Sequence, residues 1–377
     1  MHVVNDLLSE RTVMHFRDSR SWLFAFLLLP LGAAVATAGT LNVAVTGTDA
    51  DGCGTKTAPC RSISRAITSA VAGDKIVVGP GRYGDLDADG VLGEPGEESD
   101  AAGGMVLVDK ALTIESVEGA ATTVIDANGA NLNAVTIAAN GVKLGKAKKG
   151  FTVTGSARIG VAVGLATDVT VSGIRAVRNG TGFGSKSSGL VFRTNVAEAN
   201  VADGFVFSGG GCSFTACRAT ANGGNGFALS GDGAGHVVKG CVASANGEDG
   251  FQVFTDGSTV NKSVANGNDV GLRIGGASIP GQLGTNAFLG NLRSGVVVTA
   301  PNVTLTKSNI FGNGNDGTNC GVTVAGAGTV ILDKVCFGAP TGPGDDPADQ
   351  TCGGAGGEIE ILEILEKVIA ISPKVPL

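Results

Sequence analysis

Two aromatic types are almost missing: the 377 residues include one Trp (Trp22) and one Tyr (Tyr83). Sugar-binding modules lay such rings against pyranose faces, so a stacking platform of that kind is excluded. Charge is thin as well. Charged residues make up 16% of the chain, and acids outnumber bases for a net charge of −7. A phosphate backbone demands a basic face, which excludes nucleic acid as a partner. Beyond residue 38 only His236 remains of the three histidines, so no Cys-His arrangement is available for a nucleophile, and the cysteine spacings do not suit zinc. No Gly-X-Y period runs through the chain, which excludes collagen, while 43% hydrophobic residues are too many for a disordered coil.

Residues 1–38 read as a secretory signal. Arg17 and Arg20 precede the apolar run from Trp22 to Leu29, Pro30 and Gly32 break it, and Ala36-Thr37-Ala38 supplies a small-residue cleavage site. Met14 is an alternative start. After this segment no stretch is long enough to span a bilayer. The expected location is therefore secreted, periplasmic or cell-surface. Removal of the segment leaves the charge at −7 and keeps all eight Cys in a disulfide-permissive setting.

What is abundant is glycine, 62 residues in all, and its placement is periodic. An Asn recurs at 179, 200, 222, 246, 266, 291 and 313, in steps of 21, 22, 24, 20, 25 and 22 residues. Three places before it stand Ala176, Ala197, Ala219, Ala243 and Ser263; four places after it stand Gly204, Gly226, Gly250 and Gly295, each followed by Phe or Val. Short alternating apolar runs lie between these punctuations. Such a run cannot bury its own face, so successive units must stack as parallel strands about 4.8 Å apart. Ala and Phe then form internal ladders, Asn bonds from coil to coil, and the glycine is expected to turn the chain with positive φ. The fold class is all-β, a right-handed parallel β-helix of roughly ten or more coils of about 22 residues. The helix domain is assigned to 39–336. A short amphipathic capping helix falls at about 61–73, carrying Ile63, Ala66, Ile67, Ala70 and Val71 on one face. Residues 337–358 read as a Gly/Pro/Asp-rich loop or linker. Residues 359–377 read as a C-terminal helix or tail, with Ile361, Leu365 and Val368 on one helical face, serving as a cap or as a partner-binding helix.

The segment "GTDADGCGTKTAPCRSISRAITSAVAGDKIVVGPGRY" (47–83) resembles the N-terminal part of right-handed parallel β-helix proteins of the pectate-lyase-like superfamily, and "ALTIESVEGAATTVID" (111–126) looks like the next coils. The resemblance covers about residues 40–336 and implies the fold. It spans lyases, hydrolases, esterases and epimerases, so it implies no single activity. The Gly-His-Gly and Arg-Ile-Lys elements of polygalacturonases are absent, as are the Asp-His pair and Arg-x-Pro-x-x-Arg run of the major pectate lyases. In place of the epimerases' Asp-Pro-His-Asp stands only "DDPAD" (345–349).

Several constellations could still carry chemistry. Asp85, Asp87 and Asp89, followed by Gly90, suit a Ca²⁺ loop, since that hard cation takes several oxygens; the alternative is a solvated acidic loop over 85–100. In the repeat register Asp249 and Asp269 stack in adjacent coils, where they either share a cation or serve as turn residues. A polysaccharide lyase needs a cation to acidify the proton beside a uronate carboxylate and a base to remove it; Arg218, Lys239 and Lys262 are the basic candidates. Lys143, Lys146, Lys148 and Lys149 form a basic patch. Cys53 and Cys60 flank a short loop and are the best disulfide pair. Cys217 and Cys241 stack in adjacent coils, open to either a bond or a buried thiol ladder. The leading expectation is an exported, non-enzymatic extracellular or surface scaffold that contacts polysaccharide. The second is a calcium-dependent lyase, or related carbohydrate-active enzyme, on acidic glycans.

Overall fold

The computed structural model describes residues 38–87, 89, 91–99, 103–276, 283–300, 302–314, 321–326, 328–337, 351–353 and 358–364. The signal expected over 1–38 lies outside them except for Ala38, as do residues 365–377 and most of 337–358. Among the described residues the chain winds into three parallel sheets. The first has thirteen strands, from Thr40–Val43 to Glu358–Ile364. The second has ten, from Gly81–Gly84 to Asn309–Phe311. The third has eleven, from Val106–Val108 to Thr351–Gly353. One full coil runs Ser213–Thr215, Arg218–Thr220, Phe227–Leu229 and then Val237–Lys239, back in the first sheet directly above Ser213–Thr215.

Strands are short because corners come early, and the corners share one device. Between the first and second sheets Thr194, Ala216, Lys262, Thr285 and Lys307 have φ between 48° and 60°; between the second and third, Arg178, Ala199, Ala221 and Ala245 have φ between 52° and 54°. A single left-handed residue bends the chain while letting the strands on both sides keep stacking. The alternation of each strand puts alternate residues inward. Phe183, Phe205, Phe227 and Phe251 are stacked with ring centroids 4.7, 4.5 and 5.0 Å apart, and Phe192 and Phe214 form a second column beside them.

The Asn ladder is present with one member changed. It runs Asn179, Asn200, Asn222, Asn246, Asn268, Asn291, Asn313, and each backbone N–H donates to the next side-chain Oδ1 at 2.9–3.2 Å. Asn266 instead ends a strand of the second sheet, paired with Ser244 and Leu289. Ala265, not Ser263, is therefore the Ala-ladder residue of that coil. The spacing after Asn246 is regular once Asn268 is taken, and Lys262 and Asp269 shift register with it.

The glycines that follow the ladder Asn have a different cause from the one expected. Gly204, Gly226, Gly250, Gly271 and Gly295 are not among the positive-φ residues. A Cβ on Gly226 would lie 2.6 Å from Gly250 O, 2.9 Å from Asn246 Nδ2 and 3.0 Å from Ala243 Cβ. Space, not backbone conformation, demands glycine there.

At the N-terminal end α1 (Ile63–Ser69) covers the first coil with Ile63, Ala66 and Ile67 buried, and the Ser62 hydroxyl caps it by accepting from Arg65 N at 3.1 Å. Val71 lies past its end and is exposed. The C-terminal expectation is corrected. Glu358–Ile364 is a strand paired in parallel with Thr329–Val335, not a helix. Its first residues, Glu-Ile-Glu-Ile, alternate with period two, and a ready sheet edge satisfies their backbone groups. Inside the expected 337–358 loop, Thr351–Gly353 also pairs, adding a strand beside Val322–Val324.

Candidate functional site

The edge between the first and second sheets changes character along the stack. In the early coils it carries long loops, 117–122 and 145–151; from Gly173-Ile174 onward every described corner there has two residues. The long loops stand as a wall over the tight corners. They are knitted by buried Ser116, whose Oγ donates to Gly150 O at 2.6 Å and accepts from Gly119 N at 2.9 Å, and by Thr152 Oγ1, which donates to Ala120 O at 2.7 Å. Gly150 is forced by close approach, since a Cβ would sit 1.8 Å from Gly173 O.

A groove of about 650 Å³ follows this step. It crosses five successive coil levels, from Glu118 through Lys148, Arg175 and Glu198 to Arg218. At the strand spacing its length is about 19 Å. Arg175 is committed to Glu198 of the next coil, with Nη2 at 2.6 Å and Nε at 3.2 Å from Oε2. Arg218 is not committed: its Nε is buried and makes no hydrogen bond among the described residues. No aromatic ring lines the groove.

Of the three basic candidates, only Arg218 faces this groove. Lys239 ends a strand of the first sheet, in the column of Arg193, Thr215 and Asn261. Lys262 is the left-handed corner residue itself, φ 55°, so it does not share a strand position with Arg218. Glu118 and Glu198 escape a reading of the sequence. Only the difference in corner length between early and late coils signals the groove.

The acidic pair Asp249 and Asp269 does not stack. Val270, not Asp269, pairs with Ser294 in the third sheet, and Asp269 sits in the corner before it. Each carboxylate takes a guanidinium from a following coil. Asp249, 3% exposed, accepts from Arg273 Nε at 2.5 Å and Nη2 at 3.1 Å. Asp269 accepts from Arg293 Nε at 2.7 and 2.8 Å. The repulsion that suggested a shared cation is answered by arginine one coil on.

Asp85, Asp87 and Asp89 do converge, with one carboxylate oxygen from each within 4.8 Å of the others. Their mutual charge, Asp89 foremost and then Asp87, raises the Glu94 carboxyl above its ordinary value. They follow the second-sheet strand Gly81–Gly84 and so lie at the far end of that sheet from the groove. Asp49 lies close to Cys53 and Cys60, but those two are joined as a disulfide, and Asp49 Oδ1 accepts from Arg61 N and Ser62 N.

Cys217 and Cys241 are free, buried thiols. Cys241 belongs to a column of acceptors, each taking an N–H from the coil before. Cys241 Sγ accepts from Cys217 N at 3.4 Å, Ser263 Oγ from Cys241 N at 3.2 Å and Asn286 Oδ1 from Ser263 N at 3.0 Å. The pair stands as a buried thiol ladder, not a bond. Burial pushes the Cys241 thiol well above its ordinary value.

The three-sheet coil, internal ladders and helical cap define a right-handed parallel β-helix. The chain is a right-handed parallel β-helix protein. The family model described as right handed beta helix region matches residues 103–235 and 149–287. Residues 45–90 match a second family, described as a protein of unknown function (DUF1565). No curated protein sequence matches the chain. Among solved structures, a rhamnogalacturonan lyase is similar at 13% identity and TM-score 0.55, covering 86% of this chain and 87% of that one. The mannuronan C-5 epimerase AlgE4 A-module of Azotobacter vinelandii is similar at 14% identity and TM-score 0.50, covering 79% and 89%. The Dettilon tailspike protein is similar at 13% identity and TM-score 0.50, and the match covers 79% of this chain and 63% of the tailspike. At such identities the likeness carries the fold alone. Among the described residues no helix is long and apolar enough to cross a membrane.

Proposed function

We propose that this protein is an exported, non-enzymatic β-helix scaffold that lays an acidic polysaccharide along the groove between its first and second sheets. The observation that carries this reading is Arg218, half-buried in a groove five coils long with its Nε unpartnered. A guanidinium so placed is suited to a carboxylate or sulfate of a glycan. With no ring to stack on, recognition rests on charge and hydrogen bonds. Placement supports binding over cleavage. β-Elimination wants a cation and a base at one uronate carboxylate. Here the acidic loop and Arg218 lie at opposite edges of the second sheet, whose strands of three to four residues span about 10 Å.

The test is affinity electrophoresis and calorimetry on pectate, alginate and neutral glycans, run beside an ultraviolet assay for unsaturated product with Ca²⁺ and with chelator. Acidic glycans are expected to bind without product. Arg218→Ala should weaken binding about tenfold or more, the value of one charge-assisted hydrogen bond. Unsaturated product would establish the calcium-dependent lyase instead; no retention on any acidic glycan would sink the scaffold reading.

A further inference from the structure

We propose that Asp85, Asp87, Asp89 and Glu97 form a Ca²⁺ site that fastens the loop after the first coil to the N-terminal cap. This site is separate from the glycan groove. The first observation is distance. Two oxygens on opposite sides of one Ca²⁺, bound at 2.3–2.6 Å, stand about 5 Å apart at most, and the three Asp oxygens all lie within 4.8 Å of one another. The second observation is Glu97. It is 7% exposed, its Oε1 accepts from Leu86 N at 2.6 Å, and its Oε2 is buried without a hydrogen-bond partner. Leu86 lies between Asp85 and Asp87, so the Glu97 carboxylate is seated on the same turn that carries the three aspartates. A buried carboxylate oxygen needs a donor or a metal.

Of the two nearby arginines, one is engaged elsewhere. Arg82 spends its Nε on Asp126 at 3.1 Å and its Nη1 on Leu86 O at 3.3 Å. Arg61 lies over the Tyr83 ring, 5.7 Å from its centroid, and its Nη1 is buried without a hydrogen-bond partner among the described residues. Among the described residues neither arginine forms an ion pair with Asp87, Asp89 or Glu97. Asp85 is fully buried and Asn128 Nδ2 donates to its Oδ2 at 3.3 Å, which orients that carboxylate. Three converging aspartates from one irregular loop, with Glu97 bonded to the same turn, suit Ca²⁺, which tolerates six to eight ligands in flexible geometry, better than Mg²⁺, which demands a near-ideal octahedron.

The placement also says what the ion does. The residue after Glu97 is Glu98, buried, whose carboxylate accepts from Ile63 N at 2.7 Å, Ser64 N at 2.7 Å and Ser64 Oγ at 2.6 Å. The loop that would hold Ca²⁺ therefore delivers the acid that holds α1 over the open end of the stack. Ca²⁺ binding stiffens the cap.

The lone Tyr gives a site-specific probe, because Tyr83 precedes Asp85 by two residues and can sensitise bound Tb³⁺. The full chain is titrated with Tb³⁺, then with Ca²⁺ as competitor, and its melting is followed with Ca²⁺ and with chelator. The expected result is saturable Tb³⁺ emission at one ion per chain, displaced by Ca²⁺, and a melting temperature raised by Ca²⁺. Asp87→Asn with Asp89→Asn, both exposed and so compatible with folding, should lose emission and Ca²⁺ response while melting in chelator like the parent. Tyr83→Phe should lose emission but keep the Ca²⁺ response. Absent emission in the parent, or emission and stabilisation unchanged in the double Asn variant, overturns the site.

Discussion

At the scale of single residues, the repeat is held by positions whose side chains serve two coils at once. Asn222 Oδ1 accepts from Asn200 N at 3.1 Å and Asn200 Nδ2 at 2.8 Å, while its own Nδ2 donates to Ala197 O at 3.2 Å and Asn246 Oδ1 at 2.9 Å. Two neighbouring positions separate space from conformation, which the sequence alone conflates. Gly226 has ordinary φ but no room for a methyl group; Ala221 has room but φ of 54°. Gly226→Ala should therefore destabilise by about 2 kcal/mol, the cost of overpacking against fixed backbone. Ala221→Gly should be neutral or stabilise by up to about 1 kcal/mol, because relief of roughly 1–2 kcal/mol of left-handed strain outweighs the backbone entropy of Gly. Urea melts of the two variants check this, and equal signs would refute it. The period of the ladder is legible from Asn, Ala and Gly spacing. The choice of Asn268 over Asn266 is not, because two Asn within three residues fit the pattern equally until inter-coil pairing decides between them.

At the scale of elements, the coils are legible and the ends are less so. A strand of three residues repeated at one spacing announces itself through its neighbours, whereas a terminal segment appears once. Ile361 and Leu365 satisfy a helical period, yet Glu358–Ile364 pairs as a strand, since the sheet edge beneath it decides. The groove is invisible for a related reason: it arises from two long corners beside short ones, and no residue type marks it. The cap helix is legible from its apolar face, but its anchor, Glu98, lies 34 or 35 residues downstream. Glu98→Ala removes the acceptor for Ile63 N and Ser64 N and should cost about 1–3 kcal/mol locally. Because solenoid stability is a sum of nearest-neighbour terms, the loss should stay local. Hydrogen exchange is expected to speed up over residues 63–69 while Asn200, Asn222 and Asn246 amides keep their protection. Uniform loss along the stack would show that the cap supports distant coils.

At the scale of the whole molecule, three buried ionisable groups set how the stack answers to acid. His236 is fully buried, with Nε2 on Ser230 O at 3.1 Å, and burial lowers its affinity for a proton. Its stabilising contribution is present above the unfolded value of about 6.5 and is lost as pH falls through the folded value. Glu115 is pushed up by burial, but Lys75 at 2.6 Å and Lys149 outweigh that and leave its carboxyl below the ordinary value. Its contribution is lost at lower pH, beginning near its unfolded value of about 4.3. Glu98 runs the other way: burial raises it, so its contribution is greatest in acid and fades as pH rises through its folded value. The melting temperature should therefore hold near neutrality, fall as pH drops from about 6.5 toward 5, and fall again below about 4.3, with a slope of at most about 1.4 kcal/mol per pH unit for each proton taken up. His236→Gln keeps a polar group in the corner and has no proton to gain. It should remove the first fall and leave the second. If the variant and the parent lose stability in parallel between pH 7 and 5, His236 is not the source of the acid response.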